Sequence, residues 1–158
     1  MTPSSLLPSA ATHSVKDVAE FEQWFAFTSV TLDMTLWSLR ILNDFRDARP
    51  EEKDAMQIYV DKWNNELLPQ LNQRFEENPQ RQYAMDWGFS LVDIILGQIL
   101  NWSRKYRFLE PFGPKLKEYD RRLKSRPALL ESLKDAADFE KDGNASQLFT
   151  EYRSKQKL

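Results

Sequence analysis

The chain has no cysteine, one histidine and only four glycines in 158 residues. Without cysteine there is no disulfide scaffold, no zinc–thiolate site and no Cys nucleophile. With His13 as the only imidazole, a multi-histidine metal site or a Ser-His-Asp triad has no material to form from. Scarce glycine disfavours Gly-rich phosphate loops and turn-rich all-β folds. No apolar run approaches the ~20 residues that span a bilayer, and Ile94 to Ser103 is far too short. The N-terminus lacks a basic segment leading into an apolar run, so no signal peptide is expected. A cytoplasmic protein that does not enter membranes is the expectation.

What is present suits a globular domain. One domain is expected from this length, and 13% aromatic residues argue against disorder of the whole chain. The net charge of −2 is unevenly spread. Residues 1–79 carry 7 basic and 13 acidic groups, and residues 80–158 carry 15 basic and 11 acidic. Between Arg104 and Arg126 stand nine basic and three acidic residues. Such a cluster reads as solvated helix faces and helix C-termini more readily than as a nucleic-acid surface, which shows a stronger overall excess of charge.

Residues 1–13 read as a linker-like tail with two prolines and no period, and His13 reads as part of it. Ser14 to Asp17 has the form of a capping box and opens a long first helix. Its stripe runs through Val18, Phe21, Trp24, Phe25, Thr28, Leu32, Leu36, Leu39 and Leu42 at steps of three and four. The small and β-branched residues from Thr28 to Thr35 predict a local bend. A second helix opens at Pro50-Glu51-Glu52. It carries Met56, Val60, Trp63, Leu67, Leu71 and Phe75, with a kink or break expected at Pro69. Ile94 to Trp102 is apolar on all sides and predicts a central buried helix. Asp93 stands before it, three residues after Ser90. That spacing makes the pair a structural capping motif rather than a catalytic one. Further helices are expected from Pro114, with Leu116, Tyr119 and Leu123 on one face, and from Pro127, with Leu130 and Leu133 buried. No stretch alternates like a strand. The fold class is all-α, a bundle of five to six helices.

Four segments in order give the chain a family resemblance. They are Phe21-Glu-Gln-Trp-Phe-Ala-Phe27, Phe89-Ser-Leu-Val-Asp93, Ile94-Ile-Leu-Gly97 with Asn101-Trp102, and Pro114-Lys-Leu-Lys-Glu-Tyr119 through Arg126-Pro127-Ala128. Together they resemble the C-terminal helical domain of the glutathione transferase superfamily, in its bacterial-type members. The resemblance covers about residues 6 to 138. It implies a helical domain over 14–140, after a 1–13 tail and before a divergent tail at 141–158. Family enzymes also carry a thioredoxin-like half that binds glutathione and activates its thiol, and the chain has no match to that half. No catalytic residue is therefore assigned, and no cofactor; glutathione would enter only with such a half. The resemblance places Leu32, Asp33, Leu36, Trp37 and Trp102 on one wall of the hydrophobic-substrate pocket, where core packing is the competing role for Leu32, Leu36 and Trp102.

Without the missing half, an apolar face of the first and central helices would be left open. A protein partner, self-association or polar substitution would have to deal with it. Three functions follow as expectations: a non-catalytic protein-interaction module, a binder of small hydrophobic molecules, or one part of a glutathione transferase whose other half is a separate chain. A reading frame without selected function is the fourth.

Overall fold

The structure is a computed structural model that describes residues 6–9, 11–44, 50–106 and 109–131. Helices dominate it, and among the described residues the only β pairing is an isolated bridge between Met85 and Gly88. The all-α class is therefore observed, as four helical rods and a short helical turn among the described residues.

The first rod runs from Val15 to Asp44 without interruption. It comprises α1 (Val15–Ala26), a π-helical segment (Phe27–Leu32) and α2 (Asp33–Asp44). Ser14 caps it, accepting from the Asp17 N–H while the Asp17 carboxylate accepts from the Ser14 N–H at 2.9 Å. The π segment falls where the bend was expected. In a π turn the hydrogen-bond ladder slips by one residue and a carbonyl loses its usual partner. Hydroxyls add bonds there: Thr28 Oγ1 donates to the Trp24 carbonyl at 2.8 Å, and Ser29 Oγ donates to the Phe25 carbonyl at 2.6 Å.

The second rod comprises α3 (Pro50–Lys62), a second π segment (Trp63–Leu67) and α4 (Leu68–Glu76). Pro69 does not break it. The residue sits in the first turn of α4, where its missing N–H is tolerated, and the widened turn lies just before it. Val60, Trp63, Leu67, Leu71 and Phe75 are buried, as their spacing demands.

The central helix α5 (Leu91–Ser103) packs against α1, the first π segment and α2, while α2 also packs along α3. Its Val92, Leu96, Ile99 and Leu100 are at most 1% exposed and meet the same core as Leu32, Leu36 and Leu39. The last rod, α6 (Pro114–Lys124), buries Leu116 and Tyr119; the Tyr119 ring lies 4.2 Å from that of Phe75, centre to centre. Two asparagines of the second rod hold the connection into α6. Asn64 Oδ1 accepts from the Glu110 N–H at 2.8 Å, and Asn72 Oδ1 accepts from the Gly113 N–H at 2.9 Å. A Cβ on Gly113 would stand 2.9 Å from that same Asn72 oxygen, so any larger residue would push the asparagine aside.

The contacts divide the chain after Asp120 into two units. In the second, residues 127–131 form a helical turn whose Leu129 and Leu130 are exposed. The expectation of a buried Leu130 is thereby corrected: leucine spacing marks a face, but a face is buried only where something packs on it. Leu133 and the tail at 141–158 lie outside the described residues.

Candidate binding face

Beneath the surface of the first unit, the backbone of Ala84 is held from both sides. Arg74 of α4 donates to the Ala84 carbonyl from Nε at 3.2 Å and from Nη2 at 2.6 Å, and Arg81 adds Nη1 at 3.3 Å. On the other side the Ala84 N–H donates to Asp93 Oδ1 at 2.7 Å. Asp93 is 1% exposed. Its carboxylate also accepts from the Ser90 N–H at 2.8 Å, the Ser90 hydroxyl at 3.0 Å and the Tyr119 hydroxyl at 2.9 Å. Burial pushes the Asp93 carboxyl above its ordinary range, and those hydrogen bonds pull the other way. The charge on Arg74 is met by Glu20 of α1, and its guanidinium carbon lies 4.9 Å from the Trp24 ring centre. Arg81 meets Asp86 at 3.1 Å. Burial draws Arg81 below the usual arginine range, with the neighbouring Arg74 charge in second place. These groups form a shared network that joins α1, α4, the 78–90 loop, α5 and Tyr119, with the buried Arg81 Nε left without a hydrogen-bond partner.

The tail before α1 joins the same region. The Leu91 N–H donates to the Leu6 carbonyl at 3.0 Å, and the His13 ring meets the Trp87 ring edge-on at 4.6 Å. Trp87 packs in turn on the cluster of Phe21, Ala84, Met85 and Val92.

Above this network lies an open cleft of about 610 Å3 between the first rod and α4. Trp24, Ala26, Phe27 and Val30 supply its apolar wall. Gln70, Gln73 and Glu77 line the opposite side, with Gln73 Nε2 donating to the Glu77 carboxylate at 2.6 Å. Past Val30 the wall continues as a row along one side of the first rod. Val30 is 59% exposed, Met34 55% and Trp37 42%. Their steps of four and three keep them on one side, away from the buried Leu32, Leu36 and Leu39.

The residues assigned by resemblance to a pocket wall separate into two groups. Leu32 and Leu36 are 0% exposed and belong to the core. Asp33 is partly exposed at the start of α2, Trp37 is half-exposed and Trp102 partly buried. Arg40 connects the two indoles, its guanidinium carbon 5.4 Å from the Trp37 ring centre and 5.5 Å from that of Trp102. The cleft itself is lined by other residues. Of these, Val30, Gln70 and Gln73 were not singled out from the sequence. The signal for the exposed row was there: Val30, Met34 and Trp37 repeat the helical step out of phase with the core leucines.

Among the described residues, no group of three acidic or histidine side chains is placed to hold a metal ion. No helix is long and apolar enough to cross a membrane. Searches of family models and of curated proteins find no match to the chain.

Proposed function

We propose that the chain is a non-catalytic protein-interaction module of the glutathione transferase C-terminal type. The observation that carries this reading is the row of Val30, Met34 and Trp37 standing half-exposed beside the cleft. Large apolar side chains grouped on a rigid helix mark an interaction site more often than they mark idle surface. The face needs no catalytic group, and the Arg74 and Asp93 side chains beneath it hold the Ala84 backbone. The four ordered sequence segments support the family assignment, and Ser90 and Asp93 at the head of α5 match its capping motif in residue type and spacing.

The same face would also serve a separate thioredoxin-like chain, which would make the pair a glutathione transferase. One experiment separates the two. The pure chain is mixed with glutathione and a chloronitrobenzene, with and without an isolated bacterial-type thioredoxin-like half. The interaction-module reading expects no conjugation in either mixture. Turnover that appears only with the added half would overturn it in favour of the split enzyme, and turnover by the chain alone would overturn it outright.

A further inference from the structure

We infer that the cleft and the apolar row take a basic amphipathic helix from a partner protein. This rests on the interaction-module reading and adds the chemistry of the partner. The shape comes first. An amphipathic helix laid in a groove is read by anchors at steps of three and four. The row Val30, Met34 and Trp37 runs along one side of the first rod into the cleft walled by Trp24, Ala26, Phe27 and Val30, an elongated apolar surface that suits the apolar face of such a helix. The amides of Gln23, Gln70 and Gln73 supply polar contacts along the edges.

Charge then chooses the partner. The segments that frame the cleft, residues 15–43 and 66–77, hold seven acidic and three basic side chains. Arg74 lines the cleft, but Glu20 neutralises it. Glu77 lines the cleft as an exposed carboxylate. Exposed Glu66 stands one turn before Gln70, and exposed Glu22 one turn before Ala26. A lysine- or arginine-bearing helix completes this field and is steered into it. A second copy docking by the same face would bring acidic rim against acidic rim, which opposes self-association there.

The test uses two fluorescein-labelled amphipathic helical peptides of equal length, one of leucine and lysine, the other of leucine and glutamate. Binding to the full chain is followed by anisotropy. The leucine–lysine peptide is expected to bind, and to weaken about tenfold or more on raising salt to about 0.5 M. Val30→Ser with Met34→Gln should weaken it by a similar factor, as should Glu66→Gln with Glu77→Gln. Val15→Ser and Asp54→Asn, which lie away from the cleft lining, should leave it within about twofold. Five of the six positions are in helices and Glu77 follows the last residue of α4, so circular dichroism of each variant checks that the fold is kept.

Equal binding of the leucine–glutamate peptide, still lost in the Val30/Met34 variant, would overturn the basic partner and leave the interaction face standing. Binding of both peptides that ignores the Val30/Met34 variant would overturn the inference and the interaction face together, as would binding of neither. A dimer in light scattering that the Val30/Met34 variant abolishes would give the face to a second copy and overturn the inference.

Discussion

A carboxylate shut away from water is stable only if its lone pairs are met, and Asp93 is met by four donors from three parts of the chain. Replacing it by alanine leaves the Ala84 N–H, the Ser90 N–H and two hydroxyls without that acceptor. Each stranded buried group costs about 1–3 kcal/mol, so Asp93→Ala should lose about 3 kcal/mol or more in urea unfolding. A helix cap alone would cost only about 1 kcal/mol. Tyr119→Phe removes one bond and should cost about 1 kcal/mol. A loss near 1 kcal/mol for Asp93→Ala would show that the contacts beyond the cap contribute little. Linkage to pH has opposite signs at the two capping aspartates. Burial raises the Asp93 carboxyl, so the folded chain holds that proton more tightly than the unfolded one. Its contribution is full below about pH 4 and is lost as pH rises through the folded value. The Ser14 side chain and then its N–H lower Asp17, whose contribution is present above about pH 4 and lost on acidification below it. Stability measured against pH should therefore fall less on the acid side in Asp17→Asn. In Asp93→Asn it should fall less as pH rises from about 4. The Ser90–Asp93 spacing was legible in the sequence. The Ala84 contact was not, because a backbone amide in a loop without period carries no sequence signal. Buried Arg74 and Arg81 also ran against the ordinary expectation that a guanidinium faces water.

At the scale of elements, the two long rods are held in register by devices of different origin. In the first, hydroxyl side chains meet carbonyls at the π segment; in the second, the widened turn sits beside a proline. Thr28→Val with Ser29→Ala removes both hydroxyls and leaves the shapes nearly unchanged. The double variant should lose about 1–2 kcal/mol, read from the urea midpoint, because each carbonyl loses a bond worth about 1 kcal/mol. An unchanged midpoint would mean that the rod has slipped back to a regular α-helix at no cost. The rods themselves were legible from spacing: Val60, Trp63, Leu67, Leu71 and Phe75 repeat every three or four residues, and a helix can bury such a seam only on one side. The type of distortion was not. β-branched residues and a proline announce strain, but which hydrogen bond slips depends on what the neighbouring helix requires.

At the scale of the molecule, burial and exposure are sorted by phase around the first rod. Leu32, Leu36 and Leu39 point into the core, and Val30, Met34 and Trp37 point out beside a cleft. Spacing made the inward set plain. It also contained the outward set, but only the structure shows which apolar rows find a partner helix. For the same reason Trp37 and Trp102, named from the resemblance as a pocket wall, turn out to be linked through Arg40, while Leu32 and Leu36 lie beneath in the core.

The Ala84 backbone sets a clock as well as a shape. Its N–H is held by Asp93 of α5 and its carbonyl by Arg74 of α4 and by Arg81, so exposing the N–H parts the loop from α5. Loop amides usually exchange with deuterium through small local openings, whereas core amides wait for the whole domain to unfold. The Ala84 amide should belong with the core: its exchange should slow to the rate of Leu96 and Ile99, inside a loop whose exposed amides exchange early. Exchange of Ala84 at the pace of the loop would mean that the segment opens on its own, and the helices would then be joined by packing alone.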